Sequence, residues 1–276
     1  MCRWLTYTGA PVLPEDLILR PTNSLVVQSR HSRLGMEPVN GDGFGVGWYD
    51  GRERPGIFRS TEPAWNDPNL RELAEHAWTG NLFAHIRAST GSPVQLTNCH
   101  PFRHGRWLWM HNGGLAEFDR YRRELLLAVD PVLFNGIQGS TDSEVLFHLA
   151  LSLGLQDDPH AGMARAVGLV EVVAQRHGVA HPVQMTVATT DGATTWTFRY
   201  SSEGRSRTLF HNEDMATLRD QYPDSDVLQR MSEDAQIVVS EPLGHLQGVW
   251  REVPESTCLA VRPGAWESRP FVPVQP

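Results

Sequence analysis

The chain opens with MCRWLTYTG (residues 1–9), which places a cysteine at the second position, and we identify no leader sequence before it. Chain ends are often poorly ordered, so this is an unfavourable place for a structural cysteine. Removal of Met1 is expected when the next residue is small, and it would give Cys2 a free α-amine. With a pKa of roughly 7.7–8.0, part of that amine is neutral near pH 7 and can act as a base. Cys2 would then carry a nucleophile and its base, although a buried or incidental thiol explains position two equally well.

The composition, 40% hydrophobic and 20% charged, is ordinary for a globular protein. A length of 276 residues can bury a substantial core as one large domain or two small ones. The formal net charge of −8 argues against nucleic-acid or membrane-surface partners, because both need clustered Lys and Arg. We find no apolar run long enough to span a bilayer. Three cysteines fit reduced thiols better than a disulfide framework, so a cytoplasmic location is expected.

Short β-type segments dominate the chain, and helical patterns are fewer. The predicted strands cover residues 44–49, 56–60, 81–89, 107–111, 183–190, 194–200, 207–211, 235–240 and 257–261. The predicted helices cover residues 68–78, 117–133, 142–153 and 161–177, and Thr141 to Glu144 has the pattern of a capping box. Asp191-Gly192 predicts a hairpin turn. Since no repeat or linker divides the chain, we expect one layered α+β domain over residues 1–276, with 269–276 as a trailing segment.

Three further polar positions follow or begin predicted elements. Arg87 ends an apolar run and could pair with a substrate carboxylate, or form an ordinary salt bridge. Asn112-Gly113 ends a predicted strand, where the side-chain amide and the Gly113 N–H could form an oxyanion hole, or simply a turn. Asp142 could bind a substrate ammonium, or only favour the start of its helix.

Taken together and in order, these segments resemble the class II glutamine amidotransferases, N-terminal-nucleophile enzymes that release ammonia from glutamine. Six segments carry the resemblance: Cys2, NGDGFG at 40–45, His85-Ile86-Arg87 with Thr90, Asn98-Cys99-His100-Pro101, His111-Asn112-Gly113, and Thr141-Asp142. They cover the first half of the chain. The second half has compatible strands but no motif of similar specificity.

The resemblance implies a four-layer αββα sandwich and a role for seven residues. These are Cys2 as nucleophile, Asn112 and Gly113 as oxyanion hole, Arg87 for the substrate carboxylate, Asp142 for its ammonium, and Thr90 and His100 lining the glutamine pocket. It calls for no metal and no cofactor. Cys99-His100 alone supplies only half a metal site, since four placed ligands are needed.

Two positions depart from the family pattern. Arg3-Trp4 follow the cysteine where many members have glycine, and Ala88 follows Arg87 where tryptophan is frequent. The opening is most similar to the small free-standing branch, which includes the γ-glutamyl amide hydrolase of ergothioneine biosynthesis. We therefore expect a glutaminase or γ-glutamyl amide hydrolase that acts on a small molecule. The alternatives are an ammonia-supplying subunit of a separate synthase and a catalytically silent binding module.

Overall fold

A computed structural model of the protein describes residues 2–34, 39–89, 91–244 and 248–275. In chain order the strands are β1 Arg3–Val12, β2 Phe44–Trp48, β3 Gly56–Ser60, β4 Thr79–Ile86, β5 Phe102–His104, β6 Trp107–Leu115, β7 Val183–Thr190, β8 Thr195–Ser201, β9 Phe210–Asn212, β10 Gln236–Val239, β11 Trp250–Glu252, β12 Thr257–Arg262 and β13 Ala265–Pro270. The helices are α1 Glu15–Ile18, α2 Leu25–Arg30, α3 Pro68–His76, α4 Arg122–Ala128, α5 Pro131–Phe134, α6 Asp142–Ser152, α7 Pro159–Arg176, α8 Met215–Gln221 and α9 Asp226–Arg230. Short 3-10 turns cover Ala64–Asn66, Leu96–Asn98 and Phe118–Arg120. Across these ranges, no helix has the length and apolar character needed to cross a membrane.

Two antiparallel sheets organise the fold. The first sheet has the strand order β11-β9-β10-β1-β4-β2-β3, and the second has the order β13-β12-β8-β7-β6-β5. The first sheet combines strands from both halves of the chain, because β1 pairs with β4 on one side and with β10 on the other. β1 is therefore central in its sheet, with a hydrogen-bonded strand on each side.

Three buried cores lie between four layers. One core fills the space between the sheets and includes Trp4, Phe83 and Met110. A second packs β6 and β7 against α6 and α7. A third packs β1, β2 and β4 against the short helices of the first sheet. The structure confirms the predicted α+β fold with an αββα layering, since each sheet buries one face on the other sheet and one on helices.

Several predicted elements are confirmed, and two strands, 56–60 and 183–190, match residue for residue. The predicted hairpin joins β7 and β8, and Asp191 accepts the N–H groups of Ala193 and Thr194 in its turn. The single helix expected over 117–133 is wrong. That stretch forms a 3-10 turn, α4 and α5, with a break before Pro131 because proline disfavours helix in the residue ahead of it.

The expectation of a trailing segment after residue 268 is also wrong. Strand β13 pairs with β12 as the edge of the second sheet. Phe271 is fully buried against Phe198 and Tyr200, and the Val274 N–H donates to the Ala164 carbonyl of α7 at 2.9 Å. Phe271 anchors this segment in the core, which the proline content alone did not indicate.

One edge of the sandwich brings the predicted motifs together. β1 begins at this edge and β4 ends there, with Arg3 opposite Ile86, so Cys2 and Arg87 come next on neighbouring strands. β2 approaches His100 closely, since a Cβ at Gly45 would lie 2.1 Å from the His100 carbonyl oxygen. Glycine is therefore required at position 45 for the segment with His100 to pack there.

Candidate active site

A cavity of about 490 Å³ opens at this edge between the ends of the two sheets. Its size falls in the usual range for small-molecule sites. The lining comes from five segments that are distant in sequence: Cys2; Arg87, Ala88, Ser89, Gly91 and Ser92; His100; His111, Gly113, Leu115, Glu117, Phe118, Asp119 and Arg120; and Ser140, Thr141, Asp142 and Ser143. Five of the seven predicted site residues therefore meet in one cavity.

Cys2 lies at the cavity wall directly before β1 and is half-buried. Its Sγ is 3.6 Å from the Ala88 carbonyl oxygen, in position to donate a hydrogen bond. Burial raises the pKa of the thiol above its ordinary value, against the lowering effect of the Ala88 hydrogen bond and the Arg87 charge. The thiol is therefore protonated at neutral pH, and an attack by Cys2 needs a base to take its proton.

Arg87 is 3% exposed and lines the cavity at the end of β4. Its guanidinium donates to the carbonyl oxygens of Asp42, Ser92 and Pro93 at 3.1–3.3 Å, and to the hydroxyls of Ser89 and Ser92. Among the described residues no carboxylate lies within ion-pair distance of it. A buried cation without a countercharge is costly to maintain in a protein interior. An external anion in the cavity could supply the missing countercharge.

Asn112 and Gly113 lie inside β6, paired with Thr186 and Met185 of β7, so the expectation that they end a strand is wrong. Gly113 has a φ of +152°, and a Cβ there would lie 1.9 Å from the Gln184 carbonyl oxygen. Only glycine fits, which leaves this stretch of β6 open to the cavity. Asn112 is 2% exposed and is not among the described lining residues. Side-chain alternation along β6 puts it on the inter-sheet face with Met110.

Asp142 begins α6 and lines the cavity with its carboxylate. Oδ2 accepts the Leu115 N–H at 2.7 Å, and Oδ1 accepts the Ser143 N–H at 2.7 Å. A carboxylate has about four acceptor positions, so it can still receive a substrate ammonium. The contact with Leu115 ties the start of α6 to the end of β6.

The predicted capping box is only half formed. The Thr141 hydroxyl accepts the Glu144 N–H at 3.2 Å, as expected of an N-cap. The Glu144 carboxylate turns to a different partner, accepting the N–H groups of Gln138 at 3.0 Å and Gly139 at 2.6 Å. Burial raises the pKa of this carboxyl. Glu144 therefore holds the loop that leads into Thr141 and Asp142 instead of closing the box.

His100 lines the cavity and packs against His85 and Phe102, with tilted rings whose centroids are 4.3 Å apart in each case. It is 4% exposed, and within the described ranges neither of its ring nitrogens has a hydrogen-bond partner. Burial lowers its pKa well below the ordinary value, so the imidazole is neutral. A neutral ring with a free donor and a free acceptor suits a polar neutral group of a ligand.

Sequence reasoning gave no role to His111 or to the turn at residues 117–120, which also line the cavity. His111 Nδ1 lies 2.7 Å from the Ser143 Oγ, linking β6 to α6. Burial lowers its pKa, while the nearby Asp142 acts to raise it. Its position directly before Asn112 was the one feature of the sequence that could have indicated that His111 lies at the cavity. Thr90, predicted to line the pocket, lies outside the described residues.

The amino-acid sequence is similar to those of several known proteins. The family described as "Glutamine amidotransferases class-II" matches residues 21–272. A relative from Saccharomyces cerevisiae, "Probable glutamine amidotransferase DUG3", is 34% identical over 95% of this chain and 82% of its own length. The "Gamma-glutamyl-hercynylcysteine sulfoxide hydrolase" of Mycobacterium tuberculosis is 38% identical over 41% of this chain and 49% of its own length.

Solved structures agree with the sequence matches. A "glutamine aminotransferase class-II domain protein" from Silicibacter pomeroyi superposes with a TM-score of 0.75 at 32% identity, covering 99% of this chain and 100% of that chain. The "glutamine phosphoribosylpyrophosphate (PRPP) amidotransferase" of Bacillus subtilis superposes with a TM-score of 0.62 at 17% identity, covering 98% of this chain and 49% of that chain. The second likeness concerns the fold alone.

Proposed function

The chain belongs to the class II glutamine amidotransferases, a family of enzymes, and we propose that it cleaves the γ-amide of glutamine or a γ-glutamyl compound with Cys2 as the nucleophile. The observation that carries the proposal is the pairing of a cavity-lining thiol with a buried guanidinium that lacks a carboxylate partner in the described chain. Arg87 would bind the substrate α-carboxylate through a bidentate contact. Asp142, across the same cavity, would bind the α-ammonium.

The reaction we propose begins with removal of Met1, so that the α-amine of Cys2 is free. That amine takes the thiol proton as Sγ bonds to the γ-carbonyl carbon, giving a tetrahedral oxyanion. The Gly113 N–H and the Asn112 amide would stabilise it. The carbon–nitrogen bond then breaks, and the α-ammonium returns its proton to the leaving amine. Water adds to the thioester next, releasing glutamate and restoring the thiol.

The cavity favours a leaving group larger than ammonia. It continues past Gly113 and Asp142 onto the exposed turn that contains Glu117 and Arg120. These two side chains form an ion pair at 2.6 Å, so the cavity entrance carries one negative and one positive group. A stand-alone γ-glutamyl amide hydrolase would use this space for the remainder of its substrate. We regard an ammonia-supplying subunit of a separate synthase as the competing assignment.

A panel of γ-glutamyl amides tests the proposal. We expect the isolated protein to release glutamate from at least one γ-glutamyl peptide or thio-conjugate, faster than from glutamine. Released glutamate is measured for each compound, with the Cys2→Ala variant as the matched blank. Absence of glutamate from every compound would contradict the hydrolase assignment. Turnover of glutamine alone, and only with an added synthase, would support the competing one.

Replacement of Arg87 by lysine should raise KM for the best γ-glutamyl substrate by about 10- to 100-fold, with a smaller change in kcat. The physical reason is that a single ammonium cannot reproduce the two parallel hydrogen bonds of a guanidinium to a carboxylate. Steady-state kinetics on the two proteins measures the effect. An unchanged KM would remove Arg87 from the carboxylate site.

We also propose that residues 1–276 act as one domain, which is supported by the pairing of β1 with β10 and by the tail packed on α7. A cytoplasmic location is proposed as well. Its support is the sparse set of cysteines, Cys2, Cys99 and Cys258, all of them free thiols.

A further inference from the structure

Arg3, the residue after the proposed nucleophile, folds its side chain back onto that nucleophile. Its Nη1 donates to the Cys2 carbonyl oxygen at 2.9 Å, and its Nε lies 3.3 Å from Oε2 of Glu241. Its Nη2 also donates to the Ser32 hydroxyl. Arg3 is 3% exposed and Glu241 is 1% exposed. A buried ion pair is therefore attached directly to the backbone of Cys2.

Glu241 is fixed by many partners. It follows β10, and the pairing of Leu5 with Val239 places it across from Arg3 when the register is continued. Its carboxylate accepts the N–H groups of Arg33 and Leu34 at 3.1 Å, and it also accepts the Asn23 amide and the Ser32 hydroxyl. Burial acts to raise the pKa of this carboxyl, but these hydrogen bonds and the Arg3 charge outweigh it. The pKa is lowered overall and Glu241 is ionised at neutral pH.

A nucleophile at the start of a chain has fewer backbone contacts to fix its orientation than a residue inside the chain. With Met1 removed, no residue precedes Cys2, so its α-amine and thiol can be oriented only from the carbonyl side and through side-chain contacts. On the carbonyl side the structure supplies Arg3, and the Trp4 N–H donates to Ser240 of the segment that also carries Glu241. Misplacing a reacting group by about 1 Å can lower a rate about 10²-fold.

We propose that Arg3 and Glu241 form a positioning pair, which holds the Cys2 backbone so that its thiol and α-amine face the γ-carbonyl of the substrate. Neither side chain lines the cavity among the described residues, so both act through Cys2. This inference rests on the proposed function. It adds a reason for arginine after the cysteine, where many family members have glycine.

The test is a split between kcat and KM. Arg3→Met should lower kcat about 10²-fold while KM changes less than about threefold, since Arg87 and Asp142 bind the substrate independently. The rate of adduct formation at Cys2 by a γ-glutamyl diazo-ketone should fall in proportion to kcat. Arg3→Lys should recover part of kcat, because one ammonium can reach the carbonyl or the carboxylate but not both.

Glu241→Gln is the second variant. It keeps the shape, removes the charge, and should reduce kcat with little change in KM, so it decides the question if Arg3→Met does not fold. The control is Arg199→Met, because Arg199 on β8 likewise donates to a carbonyl, that of Val253, and to a carboxylate, that of Glu252. This control should lose stability without a selective loss of kcat.

The outcomes separate the two proposals. A folded Arg3→Met or Glu241→Gln protein with wild-type kcat would overturn the positioning pair and leave the proposed function intact. A selective loss of kcat in Arg199→Met of the same size would also overturn it. A wild-type protein that releases no glutamate and forms no adduct at Cys2 would instead overturn the proposed function.

Discussion

Cys2→Ala should lose activity by on the order of 10⁴- to 10⁶-fold while keeping its fold, because the variant removes the only atom proposed to bond to the substrate. Within the described part of the chain, the cysteine side chain makes one hydrogen bond, to the Ala88 carbonyl at 3.6 Å, so we expect little stability to depend on it. Glutamate release measures the activity, and thermal unfolding checks the fold. A γ-glutamyl diazo-ketone should give a single adduct at Cys2 in the wild-type protein.

Cys99 provides the matched control for this result. It is fully buried, with Sγ 3.4 Å from the Ser60 carbonyl oxygen, and burial raises the pKa of its thiol. Cys99→Ala should therefore retain activity. Labelling at Cys99 instead of Cys2, or an active Cys2→Ala protein, would contradict the nucleophile assignment. A wild-type protein with neither activity nor an adduct at Cys2 would favour a catalytically silent member of the family.

The proposed role of the Cys2 α-amine as the base can be tested separately. Because burial raises the pKa of the Cys2 thiol, we expect rate to increase with pH through the α-amine pKa of roughly 7.7–8.0. Inserting a lysine between Met1 and Cys2 converts that amine to an amide and should abolish activity. Intact mass of the native protein shows whether Met1 is removed, and a fully active protein that retains Met1 would contradict the base assignment.

Asn112→Ala should lower kcat about 10²- to 10³-fold, corresponding to about 2.7–4 kcal/mol of lost transition-state stabilisation. Asn112 is buried next to Gly113 in β6, and its register partner Thr186 accepts the Trp4 indole N–H. This contact joins the strand that follows the proposed nucleophile to β7, the direct neighbour of the strand that carries the proposed oxyanion hole. KM should change little, since the interaction forms only in the transition state.

Asn81→Ala is the matched control for Asn112→Ala. Asn81 is likewise a buried asparagine in a strand, and it is 4% exposed. Its amide donates a 3.3 Å hydrogen bond to the Thr190 hydroxyl, and it does not line the active-site cavity among the described residues. It should lose stability and keep its kcat. A near-normal rate in Asn112→Ala, or an equal loss of rate in Asn81→Ala, would reject the oxyanion role.

The sequence by itself indicated, through its resemblance to a known family, which residues share a site. Seven residues were predicted there, and the structure brings five of them, Cys2, Arg87, His100, Gly113 and Asp142, to one cavity. It also predicted the layered α+β fold. These results depended on residue types in order along the chain, which motif and pattern analysis can read directly.

Only the tertiary structure decided which strands hold those residues and which partners they contact. Asn112-Gly113 has the pattern of a turn, yet it continues β6 because β7 pairs with it residue by residue. Residues 269–275 and Glu241 are held by partners that are distant in the sequence. Val274 donates to the Ala164 carbonyl, and Glu241 pairs with Arg3. Long-range pairing and burial set these contacts, and neither leaves a local signal, because the partners are brought together only when the two sheets assemble.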